Sequence, residues 1–159
     1  MQAFAQVSVK TRELRARRTF ADGTQQPPRE RAVGDDPVHH RLPQRPVIHL
    51  SCHSFTPRLA GDWRLTDIGL LFDPARAHEA LLCSAWRKAL ARTRLRVRRN
   101  HPYKGTDDGL TTDLRARFGP RYIGIEVEVN QKFPKGDPRR WRALRAALID
   151  SFSEALRSL

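Results

Sequence analysis

The chain has 159 residues, enough for one domain with its own core, and its formal net charge of +13 favours anionic partners. The cations, mostly Arg, are spread along the whole chain, and the few aromatic residues (8%) are not interleaved with them, so nucleic-acid binding is not expected as the main function. No apolar run approaches the ~20 residues that span a bilayer, so no membrane partner is expected either.

Residues 1–46 carry no sustained hydrophobic period and are rich in Pro, Gly, Gln and Arg. Such a segment buries too little apolar area to offset its ordering entropy, so it is predicted to be a disordered or unrelated leader with at most a helical turn over 9–17. Four polar residues near its end are predicted to be solvated rather than to bind a metal: Asp35, Asp36, His39 and His40.

Regular patterning begins at Val47. Short apolar segments bounded by turn residues predict strands over 47–52, 67–72, 95–99 and 121–130. The two cysteines have neither metal-site nor disulfide spacing, which indicates small buried residues in a reducing, cytoplasmic setting. They are Cys52 and Cys83.

Three helices are predicted between and after these strands. Asp73 and Pro74 indicate an N-cap and a first turn, and a short helix is expected over 111–118. Asp137 and Pro138 begin the last helix in the same way. Apolar residues at helical spacing are Leu81, Leu82, Ala85, Ala89 and Leu90 in the first helix, and Trp141, Leu144, Leu148, Phe152, Ala155 and Leu159 in the last. Alternating strands and helices predict an α/β domain with a largely parallel or mixed sheet.

Polar side chains of catalytic type cluster where the predicted strands end, which is where open α/β sheets place their sites. Glu126 and Glu128 are two residues apart, so both carboxylates are expected on one face of their strand. Two neighbouring like charges need a cation or a proton between them. The other strand-end residues are His53, Ser54, Asn100, Tyr103 and Asn130.

Four motifs in order make the chain resemble the N-formylglutamate amidohydrolase family, a branch of the zinc-carboxypeptidase-like hydrolases. They are "VIHLSCHSFTP" (47–57), "RLTDIGLLFDPAR" (64–76), "LRVRRNHPYKGTDDGLT" (95–111) and "YIGIEVEVNQ" (122–131). The resemblance implies a three-layer zinc-carboxypeptidase-like phosphorylase/hydrolase fold with a mixed sheet. It also implies hydrolysis of a formyl or other acyl amide of an amino acid.

The resemblance further implies a zinc cofactor and assigns roles around it. His53, in "HSF", matches the family's zinc ligand at the end of a central strand, whereas His49 is taken as structural. Glu128 matches the general base, with Glu126 as the alternative. The base would remove a proton from water and pass it to the departing amine.

An anionic acyl-amino acid substrate needs cations for its carboxylates, and Arg suits them through its forked geometry. Arg64, Arg98 and Arg99 lie near the motifs, and Arg64 is the candidate we name together with Asn100 and Tyr103. The loop that holds Asn100, Tyr103 and Gly105 is expected to shape the pocket.

The resemblance covers only the C-terminal half of the family. Residues 1–46 contain none of the family's Pro-His-x-Gly, Glu-His-Gly or Asp-Leu-Asn-Arg motifs, which supply two zinc ligands and an Asn-Arg pair for the substrate carboxylate and the oxyanion. The region 47–159 is therefore predicted to be a partial domain, weak or inactive alone, whose missing half could come from a partner chain. A non-catalytic binding module and a basic nucleic-acid-binding protein are the alternatives.

Overall fold

The computed structural model describes residues 46–159 and the backbone of residues 5–9. Its strands and helices follow one another in the chain as β1 (Ala5–Val9), β2 (Val47–Phe55), β3 (Arg58–Leu59), β4 (Asp62–Trp63), β5 (Ile68–Leu71), α1 (Ala77–Leu90), β6 (Val97–Arg99), α2 (Leu110–Phe118), β7 (Tyr122–Asn130) and α3 (Pro138–Arg157). A 3-10 turn, Gly119–Arg121, connects α2 to β7.

Five strands form one mixed sheet in the order β1-β2-β7-β5-β6, and β3 and β4 form a separate small hairpin. The central pair β2 and β7 is parallel, β5 runs antiparallel to β7, and β6 is parallel to β5. This arrangement confirms the predicted α/β class with a mixed sheet.

One face of the sheet is apolar and packs against α1 and α3. In β7 this face presents Ile125, Val127 and Val129, and β5 adds Ile68 and Leu70 beside them, all in the core. The two helices contact each other through the ring of Trp86, whose centroid lies 4.6 Å from that of Phe152 and whose indole N–H donates to Ser151 Oγ. A buried indole is satisfied in this way because its N–H needs a partner.

The opposite face carries α2, which is held by a buried ionic network. The Glu79 carboxylate is fully buried and accepts from Arg76, Arg115 and the backbone N–H of Gly124, all within 3.1 Å. Arg115 also donates to the carbonyls of Gly105 and Gly124. The network therefore joins α1, α2, β7 and the loop of residues 100–109.

Several boundaries differ from the predictions. β2 runs on to Phe55 rather than ending at residue 52, because its polar residues pair with β7 instead of turning into solvent. α1 begins at Ala77 with no side-chain cap, since Asp73 closes a turn ahead of it by accepting from Ala75 N. Asp137 caps α3 as predicted, accepting from Arg139 N.

Two residues assigned to apolar helix faces are exposed instead: Leu81 (57%) and Leu159 (65%). Both cysteines are free thiols; Cys83 is buried and Cys52 is partly buried. Burial raises the pKa of the Cys52 thiol to about 11.

One strand lies within the predicted leader. Ala5–Val9 pairs antiparallel with β2, from Ala5 opposite Cys52 to Val9 opposite Ile48. The outer edge of β2 has backbone groups free to pair with these five residues. The remainder of the leader lies outside the described residues, including Asp35, Asp36, His39, His40 and most of the predicted helical turn.

In the part of the chain that the structure describes, no helix combines the length and the apolar character that a bilayer crossing requires.

Candidate active site

Two rows of polar side chains lie side by side on the face of the sheet opposite to α1 and α3. β2 contributes His49, Ser51 and His53, and β7 contributes Glu126 and Glu128. In the parallel register, Ser51 is the partner of Glu126 and His53 is the partner of Glu128. The period of two along both strands brings the five side chains to one face, as neighbours across about 4.8 Å of sheet.

His53 is oriented by a short contact within its own strand. Its Nε2 lies 2.7 Å from the hydroxyl oxygen of Ser51, which is itself buried. A hydrogen bond at one ring nitrogen fixes the plane of the imidazole and directs the other nitrogen away from Ser51.

Glu128 is buried, with 6% of its surface exposed, and its Oε2 has no hydrogen-bond partner among the described residues. The pKa of Glu128 rises from 4.5 to about 7, chiefly because of burial and secondly because of the negative charge of Glu126, while Arg64 opposes the shift. A carboxyl group with a pKa near neutrality can both accept and return a proton.

Glu126, the partner of Ser51, is less buried and is held differently. The hydroxyl of Thr111, in the first turn of α2, donates to its Oε1. The two carboxylates of β7 thus share a face but differ in environment: one is bonded to a helix, and the other has an oxygen without a partner.

A cavity of about 380 Å³ opens over this polar face. Its size falls within the range of small-molecule sites. Four of the six predicted site residues line it: His53, Tyr103, Glu126 and Glu128. The other lining residues were not among the predicted site residues: Ser51, Leu71, Lys104, Asp107, Asp108, Gly109, Leu110 and Thr111. Of these, Ser51 carried a signal, since it is two residues from His53 on the same strand face.

The other two predicted site residues, Arg64 and Asn100, do not line the cavity. Arg64 donates to the Tyr103 hydroxyl at 3.1 Å and its guanidinium lies 5.4 Å from the centre of the Tyr103 ring, so it supports a lining residue. Asn100 Oδ1 accepts from the backbone N–H groups of Phe72 and Gly105. These two hydrogen bonds to its side-chain oxygen therefore stabilise the loop that carries Tyr103.

A glycine allows that loop to cross the sheet beside Glu128. A Cβ on Gly69 would lie 2.2 Å from the carbonyl oxygen of His101 and 3.2 Å from Cβ of Glu128. His101 is itself bonded to Thr66, with 2.7 Å between Nδ1 and Oγ1. The close approach of this loop to β5 thus depends on a residue without a side chain at position 69.

His49 lies on the same face but at the other end of β2, and it does not line the cavity. It is buried, and its Nδ1 lies 2.5 Å from the hydroxyl oxygen of Tyr122. Burial lowers the pKa of His49. These contacts agree with the structural role predicted for this residue.

The described residues do not complete a zinc site. A catalytic zinc ion normally takes three protein ligands, and no group of three or more His, Cys, Asp and Glu side chains in 46–159 is arranged to hold a metal ion. On the two strands, the donors that line the cavity are the His53 imidazole and the carboxylates of Glu126 and Glu128, since His49 lies against Tyr122 at the other end of β2. Alone, this set does not fit the cofactor that the resemblance implies.

Comparisons with known proteins identify the relationship of the chain. A family model described as N-formylglutamate amidohydrolase matches residues 35–133, starting inside the segment predicted to be an unrelated leader. No curated protein matches. A similar solved structure is "The crystal structure of gene product Atu2144 from Agrobacterium tumefaciens", with 29% identity and a TM-score of 0.58 over 72% of this chain. This chain covers 43% of that protein. The chain belongs to the N-formylglutamate amidohydrolase family.

Proposed function

We propose that this chain carries part of the active site of an amidohydrolase that removes a formyl or other acyl group from an amino acid. The observation that supports this most is the environment of Glu128. Its buried carboxylate has an oxygen without a hydrogen-bond partner among the described residues, faces the cavity and lies next to His53.

Glu128 is proposed as the general base and acid. With a pKa of about 7, it can take the proton from the attacking water and give it to the amine as the amide C–N bond breaks. Glu126 is the less suitable candidate because Thr111 already donates to its carboxylate.

The cofactor is proposed to be zinc, with His53 as one ligand. Because residues 46–159 do not supply a full ligand set, the other ligands are proposed to come from residues outside this range, in the same chain or in a partner chain. The sheet with α1 and α3 on one face and α2 on the other is proposed to be the corresponding part of a three-layer zinc-carboxypeptidase-like fold. The two free thiols support a reducing, cytoplasmic setting.

Substrate carboxylates are proposed to contact the cations at the cavity. Lys104 lines it directly, and Arg64 approaches it through Tyr103. An N-acyl amino acid presents one or more carboxylates beside its amide, which suits a cavity where Lys104 lies near a base.

The test is formate release from N-formylglutamate in the presence of zinc, measured for the 159-residue chain and for two single variants. Glu128→Gln should lower the rate by about 10²- to 10⁴-fold, the usual contribution of a general base. Glu126→Gln is the matched control on the same strand face and should retain most of the activity.

Equal activity of Glu128→Gln and the unaltered chain would overturn the assignment. If the unaltered chain binds N-formylglutamate in calorimetry but releases no formate, the domain is a binding module and not a hydrolase by itself.

A further inference from the structure

Exposed cations gather at the edge of the sheet that is formed by β6. Between Glu79 and Asp107 the sequence contains no Asp or Glu, and seven cations lie within residues 87–99. All seven are exposed. We call this group the basic edge: Arg87, Lys88, Arg92, Arg94, Arg96, Arg98 and Arg99.

Nearly all of the basic edge lacks compensating charge. Arg92 forms an ion pair with Glu154 of α3, and the other six cations form no ion pair within the described part of the chain. By contrast, the buried Arg115 and the half-buried Arg76 both pair with Glu79. The positive potentials of these cations therefore add together, since no neighbouring carboxylates of the described residues neutralise the six unpaired ones.

Part of the basic edge is held on a fixed backbone. Thr93 N donates to the Leu90 carbonyl, and Arg96 N donates to Asp67 Oδ2. Leu95 and Val97 pack against the core. Because side chains of an extended segment alternate, the anchored Leu95 and Val97 leave Arg94, Arg96 and Arg98 directed outward.

Local explanations cover only some of these residues. Arg87 and Lys88 lie in the last turn of α1, where cations favour the helix dipole. Arg98 and Arg99 lie on an edge strand, where charge prevents pairing with another sheet. Neither reason applies to Arg94 and Arg96, which lie between the two elements.

We propose that the basic edge binds the phosphodiester backbone of double-stranded nucleic acid without reading its sequence. Residues two apart in an extended segment are separated by roughly 6.6 Å. Measured along the duplex axis, this is close to the advance of two phosphates of one strand, at about 3.4 Å each. Arg also suits phosphate better than Lys, because its planar fork donates two hydrogen bonds at once.

The composition of residues 87–99 favours binding to a duplex over binding to other polyanions. No exposed large hydrophobic residue lies within 87–99, so there is no side chain to insert into a lipid surface. The same stretch contains no aromatic residue on which the bases of a single strand could stack.

The experiment measures binding of the 159-residue chain to a short labelled DNA duplex of mixed sequence by fluorescence anisotropy over a range of salt concentrations. Log affinity should fall linearly with log salt, with a slope of about −0.9 per phosphate contact. The triple variant Arg94→Glu/Arg96→Glu/Arg98→Glu should weaken binding at least about tenfold and make the slope shallower by about 2 to 3.

The matched control is Arg139→Glu/Arg140→Glu/Arg142→Glu, which changes the net charge equally at the other end of α3, away from Glu154. It should leave affinity within about threefold. If circular dichroism shows that the first variant does not fold, the neutral triple variant Arg94→Gln/Arg96→Gln/Arg98→Gln replaces it. The measured quantity is then the slope of log affinity against log salt. Three results would each overturn the proposal. The first is an equal loss of duplex affinity in both triple variants, and the second is no duplex binding at low salt. The third is equally tight binding to phosphatidylserine vesicles or to poly-glutamate.

Discussion

His53 and Glu128 occupy paired positions on neighbouring parallel strands, and both side chains line the same cavity. Their sequence separation is large, yet the register makes them neighbours on one sheet face. An imidazole beside a buried carboxylate is a pair of groups that zinc hydrolases use, one as a ligand and the other as a base. This relationship leads directly to a test of metal binding.

We expect the 159-residue chain to bind zinc weakly and through His53. One imidazole with nearby carboxylates supplies fewer donors than the three-ligand sites that hold zinc tightly. Calorimetric titration should show that His53→Ala reduces the affinity at least about tenfold, since an imidazole ligand is lost. His78→Ala removes an exposed histidine of α1 and serves as the control. Zinc affinity that is unchanged in His53→Ala would remove this residue from the ligand set.

The two-residue alternation of side chains along a strand explains which parts of the site could be predicted from the sequence. Because side chains of a strand alternate, the spacing of Glu126 and Glu128 was enough to place both on one face. The same period would have added Ser51 to His53, but the predicted strand ended at residue 52, where the polar residues begin. The structure continues β2 to Phe55 because residues 53–55 pair with β7, and among them His53 lines the cavity.

Contacts between distant residues explain what could not be predicted. Glu79 and Arg115 are 36 positions apart, and no local pattern connects them. Their pairing depends on how α1 and α2 meet at β7. The lining residues from the loop of 100–109 likewise depend on its crossing over Gly69, which is a contact with no sequence period.

Replacing Gly69 with Ala should disturb the cavity and destabilise the fold. The added Cβ would lie 2.2 Å from the backbone carbonyl of His101, so the loop has to move away from β5. Overpacking of this kind typically costs about 1–3 kcal/mol. Urea denaturation measures this cost. Gly109→Ala is the control, because a Cβ there meets nothing within 4 Å. Equal stability of the two variants would show that the loop does not approach β5 so closely.

Replacing Glu79 with Gln should destabilise the protein strongly. The substitution leaves the charges of the buried Arg115 and the neighbouring Arg76 without their shared carboxylate. Removing one partner of a buried ion pair typically costs about 3–5 kcal/mol. Thermal and urea unfolding should both show the loss. Glu154→Gln breaks the exposed pair with Arg92 and should have little effect. A Glu79→Gln variant as stable as this control would mean that the network contributes little to folding.

Stability of the metal-free protein should depend on the ionisation of Glu128. Its pKa rises from an ordinary 4.5 to about 7 on folding, chiefly because of burial. Between these values the folded state keeps a proton that the unfolded state releases, so this group lowers stability as the pH rises from about 4.5 to 7. Below this window both states are protonated, and above it both are ionised, so the penalty is constant there.

Glu128→Gln, which cannot ionise, should remove this penalty. In protein treated with a chelator, the difference in unfolding free energy between the variant and the unaltered chain should be flat below pH ~4.5. It should then grow in favour of the variant up to pH ~7 and level off at a value on the order of 2 kcal/mol, allowing for solvent screening. Glu126→Gln should narrow the pH range over which stability falls by lowering its upper end, because the substitution removes the neighbouring charge that raises the pKa of Glu128. Urea denaturation at several pH values gives the unfolding free energy of all three proteins. Contributions from the other carboxylates cancel when the unfolding free energy of the unaltered chain is subtracted from that of each variant. Parallel stability curves for Glu128→Gln and the unaltered chain would show that Glu128 is not buried in the way that its proposed role as a base requires.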